Sequence, residues 1–328
     1  MAAKKAAVTL RAWFEESYAP MFLCDAARLT IEEYSQVVSL WERYTSNPPA
    51  GAITFATLVA FRDALRLRRG RAGGESLCSP ATVNKHLRAL NAMLSKLGPS
   101  GPRNRDALGV LERTPWVKQL RVPRPRPRAI SDMHLAAIYR AAGEAVHPAI
   151  VGVSAAAWWQ ALIVVAYNLG LRRGALLGLR QVDVDFDRAE LRVPAAIDKC
   201  DEERCKPLND VCLRHLLRLR RGEAAALLFP WPRSMATLYR EWWRLQAIAG
   251  VRSAERYQLH ALKRTCGTKL AECASPWVVQ AMLDHSRLET SRHYVAADLR
   301  EAVSRMPQPE VFLQGGFDHG SRQTRLFG

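Results

Sequence analysis

Long apolar runs are missing from this 328-residue chain. None reaches the roughly 18 residues that a membrane-spanning helix needs, so no membrane partner is expected. The first residues, Met1 to Val8, carry two lysines but no apolar stretch behind them, and no secretory signal is expected. Cysteine is scarce and odd in number: seven, scattered from Cys24 to Cys273. That count argues against a disulfide framework and for a reducing cytoplasm, with residence on the nucleoid if the partner is DNA. Cys200, Cys205, Cys212 and His215 lack a paired C-x-x-C knuckle, so neither a metal nor any other cofactor is expected. No internal repeat is present. Acidic residues are the scarcest class relative to their counterparts, 31 Asp and Glu against 48 Lys and Arg, a formal net charge of +17. Such a field attracts polyanions and speeds their encounter, although it carries no information about fold. A hydrophobic content of 48% excludes wholesale disorder, and the length suffices for two domains.

The composition changes sharply at Val122-Pro-Arg-Pro-Arg-Pro-Arg128. Alternating proline forbids a helix and favours an extended strap. Between Arg103 and Arg128 there are eight Lys or Arg and two acids. The strap reads as a linker whose arginines, Arg121, Arg124, Arg126 and Arg128, lie along a DNA backbone; a merely solvated linker is the plainer alternative. Before it, residues 8–98 look helical. The clearest helix starts at Ser79-Pro80, a cap followed by proline in the first turn, and stops at Gly98. Val83, Leu87, Leu90, Leu94 and Leu97 form its apolar face. Asn84, Lys85, Arg88 and Asn91 lie on the others, a pattern that suits a DNA groove or an ordinary wet face equally. After the strap come a capped helix from Ser131-Asp132, a long apolar helix over 155–170, a strand at Glu190–Val193, a polar hairpin around Lys199–Arg204 and a second strand near Lys206–Leu208. Helices are predicted at 210–221, 233–248, 260–273, 276–283 and 289–296. The expected organisation is an N-terminal helical DNA-binding domain over 1–120, a basic linker over 121–129, a mostly helical domain with a small antiparallel sheet over 130–310, and a tail over 311–328.

The chemistry-bearing residues fall in three separate boxes. The last is Leu283-Asp-His285-Ser-Arg-Leu-Glu-Thr-Ser-Arg-His-Tyr294, with histidine and tyrosine nine residues apart. Twenty-five residues before His285 stands His260-Ala-Leu-Lys263-Arg264-Thr. Far upstream is Gly170-Leu-Arg172-Arg-Gly-Ala175. A phenol can attack phosphorus and remain as a phosphotyrosine, guanidinium forks can hold non-bridging oxygens, and imidazoles can move protons. Together these groups can cleave a phosphodiester without metal.

In order and spacing these boxes resemble the tyrosine recombinase (phage integrase) family, well over roughly 130–310 and loosely before that. The resemblance implies a mainly α fold: a SAM-like core-binding domain followed by a catalytic domain with a small antiparallel β-sheet. It implies Tyr294 as nucleophile, Arg172 as first phosphate clamp, His260 and His285 as the imidazoles, and a hairpin lysine, Lys199, as acid for the departing 5′ oxygen, with Lys206 as the alternative. Several departures stand out. The family often has a glutamate three residues after the first arginine; here it is Ala175, which removes an orienting partner. The second clamp is usually arginine in His-x-Leu-Arg. Here the register places Lys263, a point charge that cannot make the fork, with Arg264 as the competing candidate. Asp284 stands where glycine is usual, and aspartate tolerates a left-handed turn better than most side chains. Tyr257, just ahead of the 260 box, reads as structural. The implied activity is site-specific recombination or integration by a mobile element on double-stranded DNA, with four protomers in the synaptic complex and residues after about 305 docked on a neighbour. A catalytically weakened DNA-binding relative and a type IB topoisomerase-like relaxing activity are the alternatives.

Overall fold

The structure is a computed structural model that describes residues 7–68, 77–122, 128–198, 202–284, 303–304 and 306–308. The chain separates into two compact units, Met1–Pro125 and Arg126–Gly328, each with its own core.

In the first unit a short helical entry over Leu10–Phe22 is followed by α1 (Arg28–Thr45), α2 (Phe55–Leu67) and α3 (Pro80–Leu97). Helix α3 begins as its sequence demands: the Ser79 hydroxyl accepts from the Thr82 amide at 3.3 Å and Pro80 fills the first turn. Val83, Leu87, Leu90, Leu94 and Leu97 are all buried, packed with Trp41, Leu58 and Phe61 from the other two helices. At Gly98 a Cβ would sit 1.9 Å from Thr114 Oγ1, so only glycine lets the following segment pass so close.

Asn84 corrects one sequence expectation. Its side chain is 4% exposed, its Nδ2 donates to the Leu120 carbonyl at 2.8 Å, and its Oδ1 accepts from the Leu120 amide at 2.8 Å. A buried amide with both ends engaged fastens the extended segment to α3 and is not a DNA contact. Asn84→Ala should therefore lower the unfolding free energy of this unit by about 2 kcal/mol, the order expected when buried backbone groups lose their partners. Urea unfolding checks this; a loss of DNA affinity with unaltered unfolding would return Asn84 to the interface.

The second unit opens with α4 (Asp132–Ala141), capped by Ser131, and α5 (Ala155–Leu169), whose residues from Ala161 to Leu169 are all buried. Helix α5 ends on Gly170 in the left-handed region, φ +59°. A Cβ there would also fall 2.7 Å from Leu283 Cδ2, so the backbone favours glycine and any larger residue would displace Leu283. Then follow α6 (Arg173–Gly178) and a three-stranded antiparallel sheet of β1 (Val184–Asp185), β2 (Glu190–Val193) and β3 (Arg204–Pro207), in the order β1-β2-β3 with Glu190 opposite Pro207 and Val193 opposite Arg204. Helices α7 (Asp210–Leu217), α8 (Met235–Ile248), α9 (Ala261–Leu270) and α10 (Pro276–Met282) complete it. Trp158, Trp159 and Trp242 are fully buried in its core, and α9 packs on α5. The mainly α fold with one small antiparallel sheet is thus observed. The helix expected at 289–296 lies outside the described residues.

Residues 306–308 pack on the chain's own α5, and the tail beyond Gln308, expected to dock on a neighbour, lies outside the described residues. Tyr167 donates to the Pro307 carbonyl at 2.5 Å. The amides of Asn168 and Gln308 bond reciprocally at 2.9 and 2.8 Å. Asn168 is wholly buried on α5, and its amide is shared among Gln308, Asn209 and the Val164 carbonyl.

Candidate active site

Arg172 caps the start of α6 in extended conformation, immediately after the left-handed Gly170 and the buried Leu171. Two fixed residues before a helix leave little freedom in where its side chain starts. That side chain is 29% exposed. Its Nη1 lies 3.7 Å from Oδ1 of Asp198, a buried carboxylate just before the hairpin tip. Ala175 leaves Arg172 without an acid on its own helix, but it is not without an orienting acid: Asp198 provides one from another element. This corrects the sequence expectation.

Asp198 has a second cation. Arg204 on β3 places Nε 3.4 Å from Asp198 Oδ2, Nη1 2.9 Å from Asp284 Oδ1 and Nη2 2.9 Å from Glu202 Oε2. Lys206, two residues along the same strand, is buried and donates to the Met282 carbonyl at 2.6 Å and to Asp284 Oδ1 at 3.0 Å. Asp284 is buried in the left-handed region at φ +56°, as its place in the sequence suggested. Lys206, offered as an alternative to Lys199, is committed to the interior and is not placed to swing to a leaving oxygen.

Lys263 points inward from α9. Its Nζ donates to the Gly170 carbonyl at 2.5 Å and to the Leu283 carbonyl at 2.8 Å, so the Gly-Leu-Arg turn and the turn before His285 share one ammonium. Burial pushes its pKa down to about 8; the charges of Lys206 and Arg172 push the same way, and Asp284 opposes them. Arg264, its competitor, is exposed on the next position of the helix. His260, at the start of α9, has its pKa lowered by partial burial and then by Arg264, Lys263 and Arg172. A neutral imidazole at physiological pH is able to accept a proton. Tyr257, by contrast, bonds through its hydroxyl to His134 Nδ1 at 2.9 Å, and its carbonyl accepts from Trp242 Nε1 at 2.7 Å.

Arg172, Arg204, Lys206 and Lys263 thus gather around the buried carboxylates of Asp198 and Asp284, and Arg204 also meets Glu202, so these four cations outnumber their three carboxylates by one. An anion is the natural complement. Among the described residues no cluster of three or more His, Cys, Asp or Glu is arranged to hold a metal ion. Lys199, His285 and Tyr294 lie outside the described residues, as do Arg124 and Arg126 of the strap. Arg88, Arg121 and Arg128 are exposed, and Lys85, also exposed, pairs with Glu33 at 2.6 Å. Asp198 and Arg204 escaped the sequence reading. The one available signal was the unusual acidity of the hairpin tip, which a solvated turn explains equally well.

Comparison with known proteins agrees with these boxes. Residues 137–301, half of the chain, match the phage integrase family. Two relatives named tyrosine recombinase XerD, from Proteus mirabilis and Yersinia pestis, are each 30% identical over 148 residues. The match covers 41% of this chain and 46% and 48% of theirs, about half the length of these relatives. Among solved structures, a lambda integrase tetramer bound to a Holliday junction superposes with a TM-score of 0.63 at 17% identity, covering 88% of this chain and 81% of that one. The integrase of transposon Tn1549 in complex with circular intermediate DNA gives 0.63 at 16% identity, covering 88% and 95%. At these identities the likeness is one of fold. No helix among the described residues is long and apolar enough to cross a membrane.

Proposed function

The chain belongs to the phage integrase family of tyrosine recombinases, and on that footing we propose that it cuts and rejoins duplex DNA at specific sites through a 3′-phosphotyrosine. The observation that carries the reading is the Lys263 ammonium on the Gly170 carbonyl, 93 residues away in sequence, which brings the 260 box and the Gly-Leu-Arg turn to one cation-rich seam. Tyr294 attacks phosphorus, and the 5′ oxygen leaves with a proton from Lys199. Arg172 holds non-bridging oxygens in a fork oriented by Asp198. His260, kept neutral, and His285 handle the proton of the phenol. The bond energy stays in the phosphotyrosine, and a 5′ hydroxyl from a partner duplex reverses the step, so strand exchange joins two duplexes and four protomers. Lys85, Arg88 and the arginines at 121, 124, 126 and 128 meet the DNA backbone, where positive charge gives affinity without sequence preference. The organisation in this reading is a DNA-binding domain over 1–120, a strap over 121–129 and a catalytic domain over 130–310. Incubation with a nicked suicide duplex, followed by denaturing electrophoresis, tests cleavage, and incubation with two intact duplexes tests exchange: a covalent protein–DNA adduct in the first and recombinant products in the second are expected, and a DNA complex without adduct rejects the reading.

That second outcome would fit a DNA-binding relative with weakened chemistry, a reading favoured by Lys263 spending two of its three protons on backbone carbonyls. The third proton is what remains for a phosphate oxygen. A sharp pH signature follows. Lys263 is charged below about pH 8 and neutral above it, whereas an ordinary lysine stays charged to 10.5. Single-turnover cleavage by the parent should fall as pH rises through that value. Lys263→Arg should keep its rate there, because a guanidinium does not deprotonate, and should gain about tenfold at neutral pH if the fork is worth a charged hydrogen bond. Matching profiles for the two proteins, or a larger loss from Arg264→Ala than from Lys263→Ala, would remove Lys263 from the phosphate.

A further inference from the structure

Resting on that reading, we propose that Lys206 is a positioning residue for DNA cleavage: it clamps the turn formed by Met282, Leu283 and Asp284, the three residues that lead into His285, and holds it in register with Arg172. Each residue of this turn is gripped by a cation. Lys206 binds the Met282 carbonyl at 2.6 Å, Lys263 binds the Leu283 carbonyl at 2.8 Å, and the Asp284 carboxylate receives Lys206 at 3.0 Å and Arg204 at 2.9 Å. The carbonyls at the end of a helix have no partners within it, and cations there also complement the helix dipole. The turn nevertheless needs holding, because Asp284 adopts φ +56°, which costs an L-residue energy.

Stability alone does not account for this arrangement. Side chains 4% and 5% exposed place both charges of the Lys206–Asp284 pair out of water, where an apolar pair of similar volume is often as stable or more so. Such a pair fixes geometry. Its reach shows what it fixes. Through Arg204 the clamp meets Asp198, which faces Arg172; through Lys263 it meets the Gly170 carbonyl, two residues before Arg172. Strand β3 therefore carries, on alternate residues, the two cations that tie the Arg172 side of the site to the backbone entering His285.

The test uses the full chain and a suicide duplex. Lys206→Met keeps length and removes charge. At saturating protein it should slow adduct formation by about 10- to 100-fold, the scale of an ångström-sized misplacement of reacting groups, while affinity for the same duplex stays near the parent's. Adding Asp284→Gly should recover part of the loss, since glycine takes a positive φ freely and the turn no longer needs holding against that strain, while the Met282 carbonyl stays unclamped. Hydrogen exchange at the Leu283 and Asp284 amides, faster in Lys206→Met than in the parent, reads the clamp without chemistry. Unchanged exchange, a rate loss that only follows lost affinity or lost fold, or no recovery in the double variant overturns the proposal. A parent that binds DNA and shows the exchange effect but forms no adduct overturns the proposed function instead.

Discussion

Tyr294→Phe should abolish covalent attachment to a suicide duplex while leaving DNA affinity almost untouched. The substitution removes one oxygen and no charge, so the counterion release that dominates affinity for duplex DNA is preserved. No phenol remains to attack phosphorus, and water is not activated at this site by a metal in the proposed reaction. Adduct measured on denaturing gels and affinity measured by titration against the same duplex separate the two effects. Residual adduct in the variant would move the nucleophile elsewhere. Tyr257 would be the first alternative tested, although its hydroxyl is held by His134.

The second large effect is expected at Arg172. Arg172→Ala should reduce the single-turnover rate by about 10²- to 10³-fold, the cost usually seen when one preorganised donor is taken from a developing oxyanion. Arg172→Lys should recover little, because a point charge does not reproduce the fork. Asp198→Asn gives the orientation part separately. Its contact with Arg172 is long, 3.7 Å, and the carboxylate also serves Arg204, so the loss should be smaller than for Arg172→Ala and should appear in rate rather than affinity. If Asp198→Asn and Arg172→Ala were equally damaging, Asp198 would be acting on the substrate or on folding and not through Arg172.

The helices show why local elements were legible. Helix α3 was marked at both ends by Ser79-Pro80 and Gly98 and along its length by five apolar residues, all of them buried. Gly170 marked the end of α5 for the same kind of reason, a left-handed residue at a helix terminus. Asp284 was flagged by its place ahead of His285, and it does take a positive φ. In each case the signal and its consequence sit within a few residues of one another, where backbone sterics and hydrogen bonding act.

The misreadings share the opposite property. Asn84 lies on a polar stripe of α3, and whether such a residue meets water, DNA or protein depends on the segment 36 residues later that passes over it. Ala175 suggested a poorly oriented Arg172 because the acid that replaces the missing one comes from the approach to a hairpin and has no local signature. Lys206 was the alternative to Lys199 as the acid for the departing oxygen, yet it is buried because Asp284, 78 residues on, arrives to pair with it. By itself, then, the sequence determined most of the described helices, strands β2 and β3 but not β1, the surplus of positive charge and the order of the three boxes, since propensity, periodicity and spacing are properties of neighbours along the chain. Only the tertiary structure decided which cations face inward and which carboxylates they share, because a charge can leave water only where the fold brings it a partner.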